Sequence, residues 1–211
     1  INILEYCRKN NIKKVIGTCS NRDILGAWGK GKIITEEEPR NFSFKGDHAA
    51  YIISKNAAND IMEYYNQQHG MQCAWFRLPR VYGVCPHNMG KFLVDGKPQI
   101  SGIATFINKA KVGEDIELWG NPHIKKDMVY VKDVAQAYVQ AMESDKTRGL
   151  YNIMGHMQVS LEEKIQAVIK VFGGSKKSKI IYCPEKGNPN DYSYLYSIRR
   201  VLFRSIHIYI A

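Results

Sequence analysis

Tyr51-Ile52-Ile53-Ser54-Lys55 opens a run that continues to Gln68 and stops at Gly70, and the mostly apolar segment Gln72-Cys73-Ala74-Trp75-Phe76-Arg77-Leu78 follows it. Asp47 is a good N-cap ahead of the run, and Ala57, Ala58, Ile61, Met62 and Tyr65 recur at helical spacing. A helix over 47–68 is therefore expected, with those residues as its buried face and Gly70 as its stop. Gln72 to Leu78 reads as a buried strand. Upstream the same alternation occurs: Ile3, Leu4 and Cys7 mark a helix within Ile1 to Asn11, and Lys13 to Ser20 is an apolar run without polar alternation. Strand, helix and strand in succession make a parallel sheet of the α/β class. Parallel strands need neighbours and a crossover before them, so the chain is expected to begin in the middle of its domain, with the opening strands absent.

Tyr51 and Lys55 stand four residues apart, so on a helix they share one face. A phenol titrates near 10, and to act as a base near neutrality it must come down by about three pH units, roughly 4 kcal/mol. An exposed ion pair contributes about 0–1 kcal/mol, so the rest must come from a desolvated site and a second positive charge, such as an oxidised nicotinamide ring. The pair thus implies a cofactor. With 13 tyrosines and many lysines, about one such spacing arises by chance, and an ordinary exposed helical pair is the plain alternative. Its setting decides.

A chain of 211 residues with 45% apolar content can bury a core of one domain or somewhat more. No run approaches the length of a membrane span and no basic, apolar leader is present. Cys7, Cys19, Cys73, Cys85 and Cys183 lie far apart, which suits a reducing cytoplasm better than a disulfide scaffold or a zinc site. The formal charge of +10 is carried by scattered doublets (Lys13-Lys14, Lys125-Lys126, Lys176-Lys177) rather than a basic stripe, so a nucleotide diphosphate is expected as the anionic partner in preference to nucleic acid.

Thr18-Cys19-Ser20 falls at the carboxyl end of the first strand, where open α/β sheets bind their ligands, and Ser20 is thereby placed to meet a substrate. Asn21 to Phe44 reads as a flexible loop; its Gly26-Ala27-Trp28-Gly29-Lys30-Gly31 has the wrong order for a dinucleotide turn. Val84 to Gly102 is rich in Gly and Pro and reads as loop. Beyond it come a helix at Ile103 to Lys111, strands at Ile116 to Trp119 and Met128 to Val131, a helix at Val134 to Met142 with Asp133 as its N-cap, and a strand at Gly149 to Met154. Ser160 and Glu163 form a capping box for a helix over Leu161 to Phe172, which stops at Gly173-Gly174.

Four stretches stand in order: Val15 to Ser20, Tyr51 to Lys55, Arg77-Leu78-Pro79-Arg80-Val81-Tyr82-Gly83, and Trp119-Gly120 through Asp127-Met128-Val129-Tyr130-Val131-Lys132-Asp133-Val134-Ala135. Together they resemble the extended short-chain dehydrogenase/reductase family, in its NAD-dependent epimerase/dehydratase branch acting on nucleotide sugars, over roughly Ile1 to Ser197. The resemblance implies a partial doubly wound Rossmann-type parallel sheet with a smaller α/β substrate-binding part. Residues 1–83 would be the second half of the NAD(P)-binding domain, rejoined by 127–144, and 84–126 with 145–197 the substrate part. It also implies Tyr51 as acid/base, Lys55 supporting its phenolate and holding the nicotinamide ribose, and Ser20, with Thr18 beside it, on the reacting sugar hydroxyl. Pro79 and Val81 would lie against the cofactor, Arg80 and Lys126 near the diphosphate, and Trp119 beside the nucleotide. The cofactor is NAD or NADP, with NAD favoured. A homodimer through the helix that carries Tyr51 and Lys55, using the face of Met62 to Gln68, goes with the same analogy.

The chain departs from the family pattern in three places. Arg80 stands where many members have Asn and Lys126 where many have Arg; a lysine cannot make the bidentate fork, so Arg80 is expected to supply it, a surface ion pair being the alternative. Asn21 and Arg22 follow Ser20 where dehydratases carry an acidic pair, which favours an epimerase and leaves a keto-sugar reductase or decarboxylase open. The glycine-rich pyrophosphate turn is expected upstream of Ile1, so these 211 residues alone are expected to show no turnover. A rival of another class is a non-catalytic protein of this fold that contacts RNA or protein through its charge. The histidines lack metal-ligand spacing, so no metal is expected. Trp28, Trp75 and Trp119 are expected to pack rather than to stack bases. The tail 198–211 stays open between an edge strand at Ile206 to Ile210 and a read-through of flanking sequence at Leu202-Phe203-Arg204-Ser205.

Overall fold

A computed structural model describes residues 1–46, 48–83, 91–94, 96–155, 157–187 and 195–196, with the backbone alone at 91–94, 157 and 195–196. The expected N-cap Asp47 and the tail 198–211 lie outside them. In chain order come α1 (Asn2–Lys9), β1 (Lys14–Ser20), a 3-10 helix (Asn21–Ala27), β2 (Ile33–Ile34), α2 (Ala49–His69), β3 (Gln72–Leu78), β4 (Arg80–Tyr82), β5 (Lys91–Val94) and β6 (Lys97–Ile100). There follow α3 (Gly102–Val112), β7 (Ile116–Trp119), β8 (Lys126–Tyr130), α4 (Val131–Glu143), β9 (Gly149–Asn152), β10 (Met157–Val159), α5 (Leu161–Phe172), β11 (Ile180–Cys183), a 3-10 turn (Pro184–Lys186) and β12 (Leu195–Tyr196). The fold is mixed α/β with parallel sheets.

The chain divides into two compact units. In the first (1–82 and 127–157, with β12) the parallel sheet runs β1-β3-β9, with Thr18 opposite Phe76 and Phe76 opposite Tyr151. One core cluster joins Leu4, Cys7, Met62, Tyr65, Met71, Cys73 and Trp75; another joins Ala74, Phe76, Val129, Val134, Ala137 and Tyr151. A large side chain such as Phe76, taken wholly from water, contributes roughly 1.5–3 kcal/mol. Beside this sheet β4 pairs in parallel with β8, Arg80 opposite Met128. In the second unit β7 pairs in parallel with β11, α3 packs on α5 through Ala110, Ile165 and Val168, and the capping box of Ser160 and Glu163 starts α5 as expected.

Several expectations are corrected. Residues 145–157, expected with the substrate part, belong to the first unit, because β9 is hydrogen-bonded to β3. The loop expected over Val84 to Gly102 contains the antiparallel hairpin β5-β6, with Val94 opposite Lys97. Asp133 is not an N-cap: α4 begins at Val131, and Asp133 lies in its first turn, where its charge faces the positive end of the helix.

The buried face of α2 is not the alanine stripe. Ala57 and Ala58 are exposed, while Ile52, Asn56, Asn59, Met62, Tyr65 and Asn66 are buried. Three asparagines were invisible to a reading by hydrophobic spacing. Asn66 shows what such a residue does: its amide donates to the Cys73 carbonyl at 2.9 Å and accepts from the Cys73 N–H at 2.6 Å, fastening α2 to β3. With Met62, Tyr65 and Asn66 turned inward, the outer side chains of the expected dimer face reduce to Tyr64, Gln67 and Gln68.

Candidate active site

The helix that brings Tyr51 and Lys55 to the sheet starts at Ala49, so Tyr51 lies in its first turn. There the unpaired N–H groups and the helix dipole favour a negative charge by about 0.3–1 kcal/mol. The Lys55 ammonium donates to the Thr18 carbonyl at 3.1 Å and lies 5.9 Å from the centroid of the Tyr51 ring. Tyr51 is 47% exposed. Lys55 is half-buried, and its contact with β1 spans 37 residues of chain. Gly17 permits this approach of α2 to β1: a Cβ there would stand 3.1 Å from the Met62 sulfur.

Thr18 and Ser20 occupy the last residues of β1 and point their chemistry differently. The Thr18 hydroxyl shares a hydrogen bond with the phenol of Tyr138 on α4, either group being able to donate. The Ser20 hydroxyl oxygen accepts from the Arg22 N–H at 3.1 Å and so caps the 3-10 helix. That bond leaves the hydroxyl proton unspent.

Behind this end of the sheet stands a buried charge pair that hydrophobic patterning does not reveal. Arg77 of β3 donates to Asp23 at 2.9 Å and to the side-chain oxygen of Asn152 on β9 at 3.2 Å, with side chains 2% and 4% exposed for Arg77 and Asp23. Burial pushes the Asp23 carboxyl above the usual carboxylate range, Arg77 opposing it. The segment expected as a flexible loop from Asn21 is thus folded at its start and pinned to two strands. Burial also pushes the thiol of Cys19 up to about 12, the nearby Asp23 adding to it, and that of Cys73 up to about 11.

Pro79 is buried at the end of β3, and Arg80 and Val81 are exposed on β4. Arg80 makes no ion pair among the described residues. Lys126, half-buried, and Trp119 belong to the second unit, apart from the other site residues in the division of the chain. Trp119 is 48% exposed, in contrast to buried Trp75; its indole N–H donates to Glu117 at 2.8 Å and Lys186 stands 5.4 Å over its ring. A concavity of about 400 Å³ in the first unit, lined by Glu36, Glu37, Glu63, Trp75 and Arg148, includes neither Tyr51 nor Lys55. Glu63 follows Tyr51 along α2 by about 18 Å, and three carboxylates there would repel a diphosphate.

A vicinal diol such as a nicotinamide ribose needs several close donors. Lys55 has donors beyond the one it gives to Thr18, and the Tyr51 hydroxyl lies on the same helix face, so the donor set fits. No group of three His, Cys, Asp or Glu able to hold a metal occurs among the described residues, and no described helix is long and apolar enough to cross a membrane.

A parallel α/β sheet of this kind is one on which nicotinamide-dependent enzymes are built. The chain belongs to the NAD-dependent epimerase/dehydratase family, whose model matches residues 1–153. It is 28% identical over 147 residues to a putative UDP-glucose 4-epimerase of Methanocaldococcus jannaschii, covering 67% of this chain and 42% of that protein. It is 25% identical over 147 residues to the dTDP-4-dehydro-6-deoxy-D-allose reductase of Streptomyces bikiniensis, covering 69% and 42%. Among solved structures, the UDP-N-acetylglucosamine 4-epimerase of Methanobrevibacter ruminantium superposes with a TM-score of 0.71 at 21% identity, over 94% of this chain and 58% of that one. The UDP-glucose 4-epimerase of Thermus thermophilus, solved with NAD, gives 0.63 at 23% identity, over 93% and 59%. These structural likenesses concern the fold. The chain spans about half the length of the curated relatives it matches, from 42% to 54%.

Proposed function

We propose that the protein carrying this chain epimerises a nucleotide sugar with NAD, through Tyr51 as acid/base. The observation that supports it most is the Lys55 ammonium held on the Thr18 carbonyl beside the Tyr51 ring, at the carboxyl-terminal part of β1. Tyr51 stands in the first turn of α2, with Lys55 one turn further along the same face. Bound NAD would supply the hydride acceptor, taking hydride from a sugar carbon and returning it to the other face of the keto-sugar. Tyr51 takes the hydroxyl proton and gives it back; Lys55 keeps the phenolate stable and binds the ribose; Ser20 donates its free hydroxyl proton to the reacting oxygen. Arg80, exposed on β4, grips the diphosphate with its planar fork.

Asn21 and Arg22 after Ser20 support epimerisation over dehydration, since neither is the acid needed to expel water. A keto-sugar reductase is the second reading, favoured by the likeness to the Streptomyces reductase. A cytoplasmic location accords with the free, buried thiols of Cys7, Cys19, Cys73 and Cys183, and a homodimer would use the exposed side of α2 around Ile53 and Tyr64. The test is incubation of the complete gene product with UDP-glucose and UDP-N-acetylglucosamine, followed by proton NMR of the anomeric region. Appearance of the 4-epimer supports the proposal. Failure to convert either, together with reduction of a dTDP-4-keto-sugar by NADPH or NADH, replaces it by the reductase reading.

A further inference from the structure

Thr18, which Lys55 contacts from the α2 side, is met from the α4 side by Tyr138. Tyr138 on α4 joins its phenol to the Thr18 hydroxyl, and its ring packs edge-to-face on Phe76 with centroids 4.9 Å apart. Phe76 is the register partner of Thr18 on β3 and is wholly buried. Tyr138 therefore spans the β1-β3 pair, its ring locked on one strand and its hydroxyl fixing a side chain on the other. The same Thr18 presents its carbonyl to Lys55 at 3.1 Å. We propose that Tyr138 is a positioning residue for Lys55: by fastening the Thr18 side chain from the α4 face, it holds the Thr18 carbonyl where it orients the ammonium on the α2 face. The inference rests on the reading of Tyr51 and Lys55 as the reacting pair.

The physical case is one of restraint. A lysine ends in a freely rotating ammonium on a four-carbon stem, so its usefulness beside a phenolate depends on what fixes its direction. Thr18 is β-branched and stiff at its first side-chain torsion, so anchoring its hydroxyl restrains the backbone that bears it. Tyr138 touches neither the phenol nor the ammonium, and all its influence passes through Thr18.

Tyr138→Phe keeps the ring on Phe76 and removes only the hydroxyl. In the complete gene product it is expected to lower kcat about threefold to tenfold, the scale of one neutral hydrogen bond, with KM for the nucleotide sugar unchanged. A readout independent of turnover is a brief acetic anhydride pulse followed by peptide mass spectrometry, in which Lys55 acetylation rises severalfold relative to exposed Lys125 and Lys132. Thr18→Val should give the same two changes, and the double variant should be no worse than either alone. Unaltered Lys55 reactivity in both single variants, or losses that multiply in the double, would overturn the relay. Tyr51→Phe keeps the two ideas apart: if that variant turns over normally, the reading of the pair has failed, whereas an inactive Tyr51→Phe beside unchanged Lys55 reactivity in Tyr138→Phe sinks the relay alone.

Discussion

Replacing Asp23 by Ala would leave the Arg77 guanidinium buried without its counter-charge. The side chains of Arg77 and Asp23 are 2% and 4% exposed, so almost no solvent reaches the freed charge. What remains for it are neutral acceptors, the Asn152 side-chain oxygen at 3.2 Å and the Thr35 carbonyl at 3.4 Å. Breaking one partner of such a pair costs about 3–5 kcal/mol, a large share of the 5–15 kcal/mol by which a domain is stable. Asp23→Asn keeps a neutral acceptor near the 2.9 Å contact and should cost about half as much. Removing both charges together, as in Asp23→Leu with Arg77→Met, should recover most of the loss, because the desolvation penalty disappears with the attraction. Urea unfolding followed by tryptophan fluorescence would report it, since Trp75 is buried on the strand that carries Arg77. A loss under about 1 kcal/mol for Asp23→Ala, or a double variant as weak as the single, would refute the reasoning. Because the 3-10 helix bearing Asp23 starts from the Ser20 cap, the same variant should also lower turnover.

Arg8 and the Tyr65 phenol hold the Glu5 carboxyl down to about 2, so the stability it lends is complete above about pH 4.3 and lost as pH falls toward 2. Glu5→Gln should therefore flatten the acid limb of Tm against pH, and an unchanged slope would contradict the assignment. With their thiols pushed up to about 12 and 11, Cys19 and Cys73 should resist iodoacetamide at about pH 8 in the native protein and react in urea; native labelling of either would be the contrary result. Arg80→Ala in the complete gene product should weaken nucleotide-sugar affinity about tenfold or more, measured by calorimetry, and unchanged affinity would remove Arg80 from the site.

The elements read directly from the chain were those governed by local rules. The capping box of Ser160 and Glu163 needs three residues of context, and β1 and β3 declare themselves as unbroken apolar runs. The closeness of Tyr51 and Lys55 was legible for the same reason, since a helix brings residues four apart together. What escaped depends on distant partners. Arg77 looks like an ordinary end to a strand until Asp23, 54 residues earlier, is brought against it. Asn56, Asn59 and Asn66 are polar, so hydrophobic spacing does not mark them as buried, and the bonds of Asn66 to Cys73 depend on a strand that only the fold brings against it. Tyr138 lies 120 residues from Thr18, and no spacing rule joins them.

The most direct measurement is the rate of UDP-hexose interconversion by the complete gene product and by its Tyr51→Phe variant, with calorimetric binding of the same sugar nucleotide alongside. Loss of the phenol is expected to slow interconversion about a hundredfold to ten-thousandfold while binding changes little, as befits a group that acts only on the reacting proton. A Tyr51→Phe variant that keeps a rate within a few fold of the parent would contradict the assignment of Tyr51 and, with it, the function proposed for this chain.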